Sequence, residues 1–246
     1  MKKLTQDAIE WIKDYFKDNP NGKAIIGVSG GKDSTIAAAL CAAALGADRV
    51  IGVLMPNGEQ SDIDDSYRVC TILNITPIEV NIGNAYNALI GETCKGLHEI
   101  PAIIYTNLPS RLRMSTLYTV AALYPSSRVV NTSNLSERYI GYSTKYGDGA
   151  GDFSPLGELT VREVLMIGDD LGLPYDLVHK TPSDGMSGKS DEEKIGFTYN
   201  ELDNYLLIGD GLTIDAVEKI RKMHKANEHK LKDMPRFVPV GRSTWL

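Results

Sequence analysis

The segment Ile25-Ile26-Gly27-Val28-Ser29-Gly30-Gly31-Lys32-Asp33-Ser34-Thr35 carries the strongest chemical signal in the chain. Two adjacent glycines let successive backbone N–H groups turn toward one point, which makes a nest for an anion. A helix starting at Asp33 adds the positive end of its dipole. Ser29 and Ser34 supply hydroxyl donors, and Lys32 supplies a positive charge. Such a loop suits phosphate. Asp33 does not, unless a divalent metal lies between its carboxylate and the phosphate, and Mg²⁺ is the ion that bridges such oxygens. The loop is neither a GxxxxGK[ST] phosphate loop nor a GxGxxG fingerprint.

The elements that must hold this loop follow from pattern. Residues 24–28 are short, apolar and β-branched, and read as a buried strand. Residues 33–45 are alanine-rich and read as a helix ended by Gly46. Upstream, Ile9, Trp11, Ile12, Tyr15 and Phe16 fall at roughly helical spacing, and Asn19-Pro20-Asn21-Gly22 ends that amphipathic helix. Residues 49–55 predict a second strand and 61–73 a second helix of the alternation, with Asp62, Asp64 and Asp65 near its N-terminus. A third strand is expected over 76–82, helices near 85–91 and about 110–124, and a fourth strand from 128.

Strands alternating with helices predict an α/β fold: a doubly wound parallel sheet flanked by helices on both faces. Such sheets bind ligands beyond the carboxyl ends of their strands. Ser29, Met55 and Asn131 each follow a predicted strand, so their loops should converge on one edge. Residues 141–158, rich in Gly, Asp and Pro, read as an ordered binding segment. A helix is expected over 160–171. Residues 181–196 hold few apolar side chains and read as a mobile lid. C-terminal helices are expected near 199–207 and 213–228.

The 246 residues suit a single domain over 1–246. A net charge of −6 argues against a protein that coats nucleic acid, but leaves room for anionic small molecules. No apolar run reaches the roughly 18 residues of a membrane span. Asp7, Glu10, Lys13 and Asp14 interrupt the opening segment, so no secretory leader is expected. Cys41, Cys70 and Cys94 form no CxxC pair and read as thiols in a reducing cytoplasm.

The loop Ser29-Gly30-Gly31-Lys32-Asp33-Ser34 resembles the pyrophosphate-binding loop of the ATP pyrophosphatases, an adenine nucleotide alpha-hydrolase-like family. Within that family, several stretches are similar to ammonia-dependent NAD synthetases. MPNGEQSDIDD (55–65) has their apolar-Pro-x-Gly-x-Gln pattern, and TNLPSRLRM (106–114) their Asn-x-x-x-Arg-x-Arg-Met stretch. The block 131–156 matches most specifically: Thr132, Glu137, Gly141 and Thr144, then Lys145-Tyr146-Gly147-Asp148-Gly149, Asp152, Pro155 and Leu156. TPSDGMSGKSDE resembles the family's lid, and NEHKLKDMP its C-terminal Glu-His-Lys segment. Together these cover almost the whole chain.

The resemblance implies roles. ATP would lie against Gly27, Val28, Ser29, Gly30, Gly31, Lys32, Asp33 and Ser34, with Gln60, Thr132, Ser183 and Lys189. Asp33 and Glu137 would hold Mg²⁺. Deamido-NAD would be bound by Arg111, Lys145, Asp148, Asp152, His229 and Lys230. Asp33, Glu137 and Lys145 are the residues implied to be catalytic. Arg111 and Arg113 point apart on a helix, so one could reach nucleotide while the other faces a second copy in a homodimer. Two departures stand out. Val161 follows Thr160 where the family often has an ATP-binding lysine, so either Arg162 substitutes or the contact is missing, and Asn131 replaces a usual glycine. The implied reaction amidates deamido-NAD with ammonia through an acyl-adenylate. No cysteine lies in a convincing glutaminase context. The competing expectations are a tRNA-modifying ATP pyrophosphatase, which would favour a basic face, and a module that binds ATP without turnover.

Overall fold

Four strands form one parallel sheet: β1 (Ala24–Gly27), β2 (Val50–Leu54), β3 (Thr76–Glu79) and β4 (Arg128–Val129), in the order β3-β2-β1-β4. Their register pairs Ile25 with Ile51 on one side and with Val129 on the other. This computed structural model describes residues 1–60, 62–180, 190–209 and 212–239. The helices are α1 (Lys3–Tyr15), α2 (Lys32–Leu45), α3 (Ile63–Leu73), α4 (Gly83–Thr93), α5 (Ala102–Ala121), α6 (Leu135–Ile140), α7 (Val161–Asp170), α8 (Tyr175–Val178), α9 (Asp191–Ile195), α10 (Tyr199–Leu207) and α11 (Ile214–Leu231).

Both faces of the sheet are covered, which is why its strands read as continuous apolar runs rather than as alternation. Ala24, Ile26 and Val28 enter a core with Ile9 and Ile12 of α1, Ile36 and Leu40 of α2 and Ile167 of α7. Ile25, Ile51 and Val53 point the other way, onto Val120 of α5. Helix α2 is enclosed by α1, α3, α7 and α8, and most of its side chains are buried. Alanines let these helices approach closely, while Ile36 and Leu40, both fully buried, each contribute about 1.5–3 kcal/mol. A smaller cluster of Ile140, Phe197, Leu202 and Ile220 packs α6, α10 and α11 together.

The doubly wound parallel sheet agrees with expectation, but several boundaries do not. The helix expected over 110–124 begins at Ala102 and carries Pro109 within it. The third strand stops at Glu79, and the fourth has two residues, continued by a bridge from Val130 to Phe153. Part of the segment expected to be a lid is a short helix, α9, started by a capping box in which Ser190 and Glu193 satisfy each other's backbone N–H groups. Residues 181–189 of that segment, with Ser183 and Lys189, lie outside the described residues.

The order β3-β2-β1-β4 places the connections after β1 and β4 side by side where the winding reverses. That crevice is where an open parallel sheet takes a ligand.

Candidate active site

At the crevice a cavity of about 330 Å³ opens between the two loops. Ser29, Gly31, Asp33 and Ser34 line it from the β1 side, and Thr132, Ser133, Glu137 and Asp148 from the β4 side. The β1 loop is held by its own hydrogen bonds. The Ser29 N–H donates to Ser34 Oγ at 3.2 Å, and Ser34 Oγ donates to the Gly31 carbonyl at 3.1 Å. Gly30 adopts φ +74°, and a Cβ there would lie 2.7 Å from Asp65 Cβ. Gly31 is the N-cap of α2 in an extended conformation. Of the two glycines, then, only the first uses the left-handed region. Gly27 and Val28 do not line the cavity, and the Val28 side chain is in the core.

Asp33 and Glu137 face the same cavity from the first turns of α2 and α6. Asn134, fully buried, joins them: its Nδ2 donates to Asp33 Oδ1 at 3.1 Å, and its Oδ1 accepts the Glu137 N–H at 2.9 Å as the N-cap of α6. Burial, and then the Asp33 carboxylate, push the Glu137 carboxyl above its ordinary range, although Lys32 pulls the other way. Lys32 is itself buried, 6% exposed, with Nζ 2.6 Å from Asp33 Oδ2. Burial disfavours its charge, but Asp33, Glu137 and Asp191 outweigh that and hold its pKa above the usual lysine value. It is not among the residues lining the cavity.

Asn131, where a glycine was expected, ties the β4 loop to the following segment. Its Nδ2 donates to the carbonyls of Asp148 (2.9 Å) and Ala150 (3.2 Å), and its Oδ1 accepts from the Ser133 N–H (3.1 Å) and Ser154 Oγ (2.9 Å). Asp148 Oδ1 accepts the Thr144 N–H at 2.9 Å, which shapes the turn that carries Lys145.

A second cavity, of about 260 Å³, lies beyond that turn, lined by Lys145, Tyr146, Lys230, Lys232 and Met234 among others. Lys145 Nζ donates to the His229 carbonyl at 2.6 Å, and Lys230 Nζ to the carbonyls of Gly141 (2.8 Å) and Ser143 (2.9 Å). Desolvation lowers the pKa of Lys230 despite Asp148. Arg111, which is exposed, donates to the Lys145 carbonyl at 3.4 Å. Lys145, Lys230, His229 and Arg111 are thus brought together around one turn.

Other expected residues sit elsewhere. Both carboxylate oxygens of Asp152 are engaged at the sheet, by the Val129 N–H (2.7 Å) and the Tyr118 hydroxyl (3.2 Å), and Asp152 lines neither cavity. Gln60 donates to Asp62 at 2.9 Å on the loop after β2, also outside both linings. The Arg162 guanidinium donates to Asn200 and Asn204 of α10, at 2.7 and 2.8 Å, and Arg162 lines neither cavity. Arg113 Nε donates to the Met55 carbonyl at 3.1 Å, where β2 ends. Sequence reasoning missed Asn134, Asp191 and Tyr199. Asn134 alone had a local signal, an Asn before a helix with Glu three residues on.

The family profile described as NAD synthase matches residues 4–235. The NH(3)-dependent NAD(+) synthetase of Carboxydothermus hydrogenoformans is 35% identical over 229 residues, which cover 92% of this chain and 93% of that one. Among solved structures, the NMN synthetase of Francisella tularensis superposes with TM-score 0.87 at 33% identity, covering 97% of this chain and 98% of that one. The NH3-dependent NAD synthetase of Campylobacter jejuni, solved with a nitrate ion, gives TM-score 0.80 at 28% identity, with 97% and 100% covered.

Proposed function

The chain belongs to the NAD synthase family, and we propose that the crevice between β1 and β4 is where it activates the nicotinate carboxylate of its substrate. It is a carbon–nitrogen ligase that amidates deamido-NAD with ammonia at the expense of ATP, giving NAD. The observation that carries the site assignment is the cavity itself, since the phosphate-type loop and the carboxylates Asp33 and Glu137 line one space.

A carboxylate oxygen of the nicotinate attacks the α-phosphorus of ATP. The bond between the α-phosphorus and the bridging oxygen breaks, and pyrophosphate leaves against the N–H groups and hydroxyls of Ser29, Gly31 and Ser34. Ammonia then attacks the activated carbonyl carbon, the bond to AMP breaks, and the surplus proton passes to solvent. The protein supplies no covalent nucleophile. It orients the reactants and offers fixed dipoles where charge builds up. Thr132 would steady the nucleotide from the β4 side. Lys145, Lys230, Arg111 and His229 would hold the anionic substrate around the second cavity, with Asp148 between the two sites. Ser183 and Lys189 remain candidates for ATP contacts, and Asp152 acts by fixing the turn.

The donor set fits a hard divalent cation. Two carboxylates from the first turns of α2 and α6 share one cavity with the hydroxyls of Ser29, Ser34 and Thr132, all oxygen donors of the kind such an ion takes. Asp33 and Glu137 would hold Mg²⁺, which when bound would neutralise the phosphate oxygens. We also take residues 1–246 as one domain working as a homodimer in the cytoplasm. Exposed Leu89 of α4, Leu97, and Ile103 and Tyr105 of α5 offer an apolar face for a second copy, and the three free cysteines suit a reducing compartment. A monomeric mass by sedimentation would contradict the dimer.

The adenylate is testable by isotope. Deamido-NAD labelled with ¹⁸O in its carboxylate should deliver one labelled oxygen to AMP during amidation. Unlabelled AMP, with label only in pyrophosphate or water, would rule the acyl-adenylate out.

A further inference from the structure

Asn131 follows β4 and is only 9% exposed, yet it lines neither cavity. A side-chain amide has two donor hydrogens and two acceptor lone pairs. Asn131 uses its full set. Its Nδ2 donates to the carbonyls of Asp148 and Ala150, and its Oδ1 accepts from the Ser133 N–H and the Ser154 hydroxyl. Its backbone N–H donates to the Phe153 carbonyl at 2.8 Å, beside the bridge from Val130 to Phe153. The packing leaves no slack, since a Cβ at Gly151 would lie 2.7 Å from Asn131 Cβ.

The partners of this amide belong to both cavities. Ser133 and Asp148 line the first, and Ala150 lines the second. Asn131 therefore sits in the wall that the two share. From there the bonding runs on toward Lys145. The Asp148 carboxylate accepts the Thr144 N–H at 2.9 Å, and Thr144 Oγ1 donates to Asn107 of α5 at 2.9 Å. Each cavity also has supports of its own. The β1 loop is bonded within itself through Ser29, Gly31 and Ser34, and Lys230 of α11 holds the carbonyls of Gly141 and Ser143.

We propose that Asn131 is a positioning residue for the step in which the carboxylate attacks ATP: it fixes the two bound reactants relative to each other without touching either. This rests on the site assignment made above. The carboxylate oxygen has to meet the α-phosphorus in line as the bond to pyrophosphate breaks, and an error of about 1 Å in such an approach can cost roughly a hundredfold in rate. Without the amide, the β1 loop would still hold ATP and the α11 side would still hold deamido-NAD. What would be lost is the fixed wall between them. The defect should therefore fall on the rate and not on the affinity for either reactant alone.

The test measures three quantities for each protein. They are the single-turnover rate of pyrophosphate formation from labelled ATP by rapid quench, and the Kd of deamido-NAD and of α,β-methylene-ATP with Mg²⁺, each alone, by calorimetry. Every protein is assayed about 20 °C below its own melting temperature, where almost all of it is folded. Asn131→Ala is expected to slow pyrophosphate formation by roughly thirtyfold or more, with each Kd within about threefold of the wild type. Asn131→Asp at pH 8 keeps an acceptor for Ser133 and Ser154 but cannot donate to the two carbonyls. It is expected to lose at least about tenfold in rate, again with little change in either Kd. A purely structural role would lower the melting temperature and leave the rate of the folded protein unchanged. A rate within threefold of the wild type in Asn131→Asp, or a loss that lies in the Kd of one reactant, would overturn the proposal. If Asn131→Ala fails to fold, Asn131→Asp decides alone. A wild type that forms no pyrophosphate with deamido-NAD would instead overturn the site assignment, and this proposal with it.

Discussion

Replacing Glu137 by glutamine is expected to lower turnover by at least about a hundredfold while making the ligand-free protein more resistant to heat. The loss follows from removing one of the two carboxylates that would hold the metal on the phosphates, a charge interaction worth several kcal/mol in the transition state. The gain follows from the sign of the Glu137 shift. Burial, then Asp33, raise its folded-state pKa above the ordinary 4.5. The folded protein thus holds a proton there that the unfolded chain has lost, and stability present in acid falls as pH rises through that window. Glutamine has no charge to bury, so it should melt about 2–4 °C higher than the wild type near pH 8. Near pH 4, where Glu137 is protonated in both states, the difference should vanish. Adding Mg²⁺ and ATP should raise the melting temperature of the wild type far more than that of the variant, because only the wild type gains binding energy in the folded state. Melting scans at two pH values, with and without ligands, check all three. A variant that melts lower than the wild type at pH 8 would contradict the repulsion described here.

Gly30→Ala is the second large effect, and it contrasts with its neighbour. Alanine at φ +74° sits in the left-handed region, which costs about 1–2 kcal/mol, and its Cβ would lie 2.7 Å from Asp65 Cβ and 3.2 Å from backbone atoms of Asp65 and Ser66. The clash is partly with the backbone at the start of α3, so the loop has to move. Ser29 and Gly31 then leave the positions from which they would meet phosphate, and a shift of about 1 Å there is enough for a loss of roughly a hundredfold in kcat/KM. At Gly31 φ is −83°, and a Cβ would meet only the Ser29 hydroxyl, at 3.3 Å. Gly31→Ala should therefore keep its melting temperature within about 2 °C of the wild type, with its effect confined to ATP binding. Equal loss of stability in the two variants would mean that the loop is not held as described.

What the sequence revealed and what it hid have physical reasons. The unit from β1 through the glycines into α2 was legible because strand, loop and helix each have a strong local pattern, and all three agree. The block 131–156 was legible because its residue types at fixed spacing are rare together. The first half of α5 was not, because Pro101 and Pro109 bracket a β-branched stretch that reads as a break. In the structure Pro101 sits at the N-cap and Pro109 gives up one helix hydrogen bond. Helices α8 and α9, with 4 and 5 residues, are too short to show a period. Lys32 was expected to face phosphate. The ring it lies over, Tyr199, is far along the chain and carries no local mark of its contact with the loop. Asp152 is assigned to substrate by resemblance alone; its carboxylate accepts the Val129 N–H and the Tyr118 hydroxyl at β4, contacts between residues far apart in sequence that no local pattern announces.

The most direct measurement is product analysis by mass spectrometry. Purified protein would be incubated with ATP, Mg²⁺ and deamido-NAD, in parallel with ammonium, with glutamine and with neither. Matching tubes would carry nicotinate mononucleotide in place of the dinucleotide, because a similar structure is that of an NMN synthetase. The expected result is NAD, AMP and pyrophosphate with ammonium alone, and little product from the mononucleotide. NAD formed from ammonia-free glutamine, or ADP and phosphate in place of AMP and pyrophosphate, would contradict the central claim, as would amidation of the mononucleotide in preference to the dinucleotide.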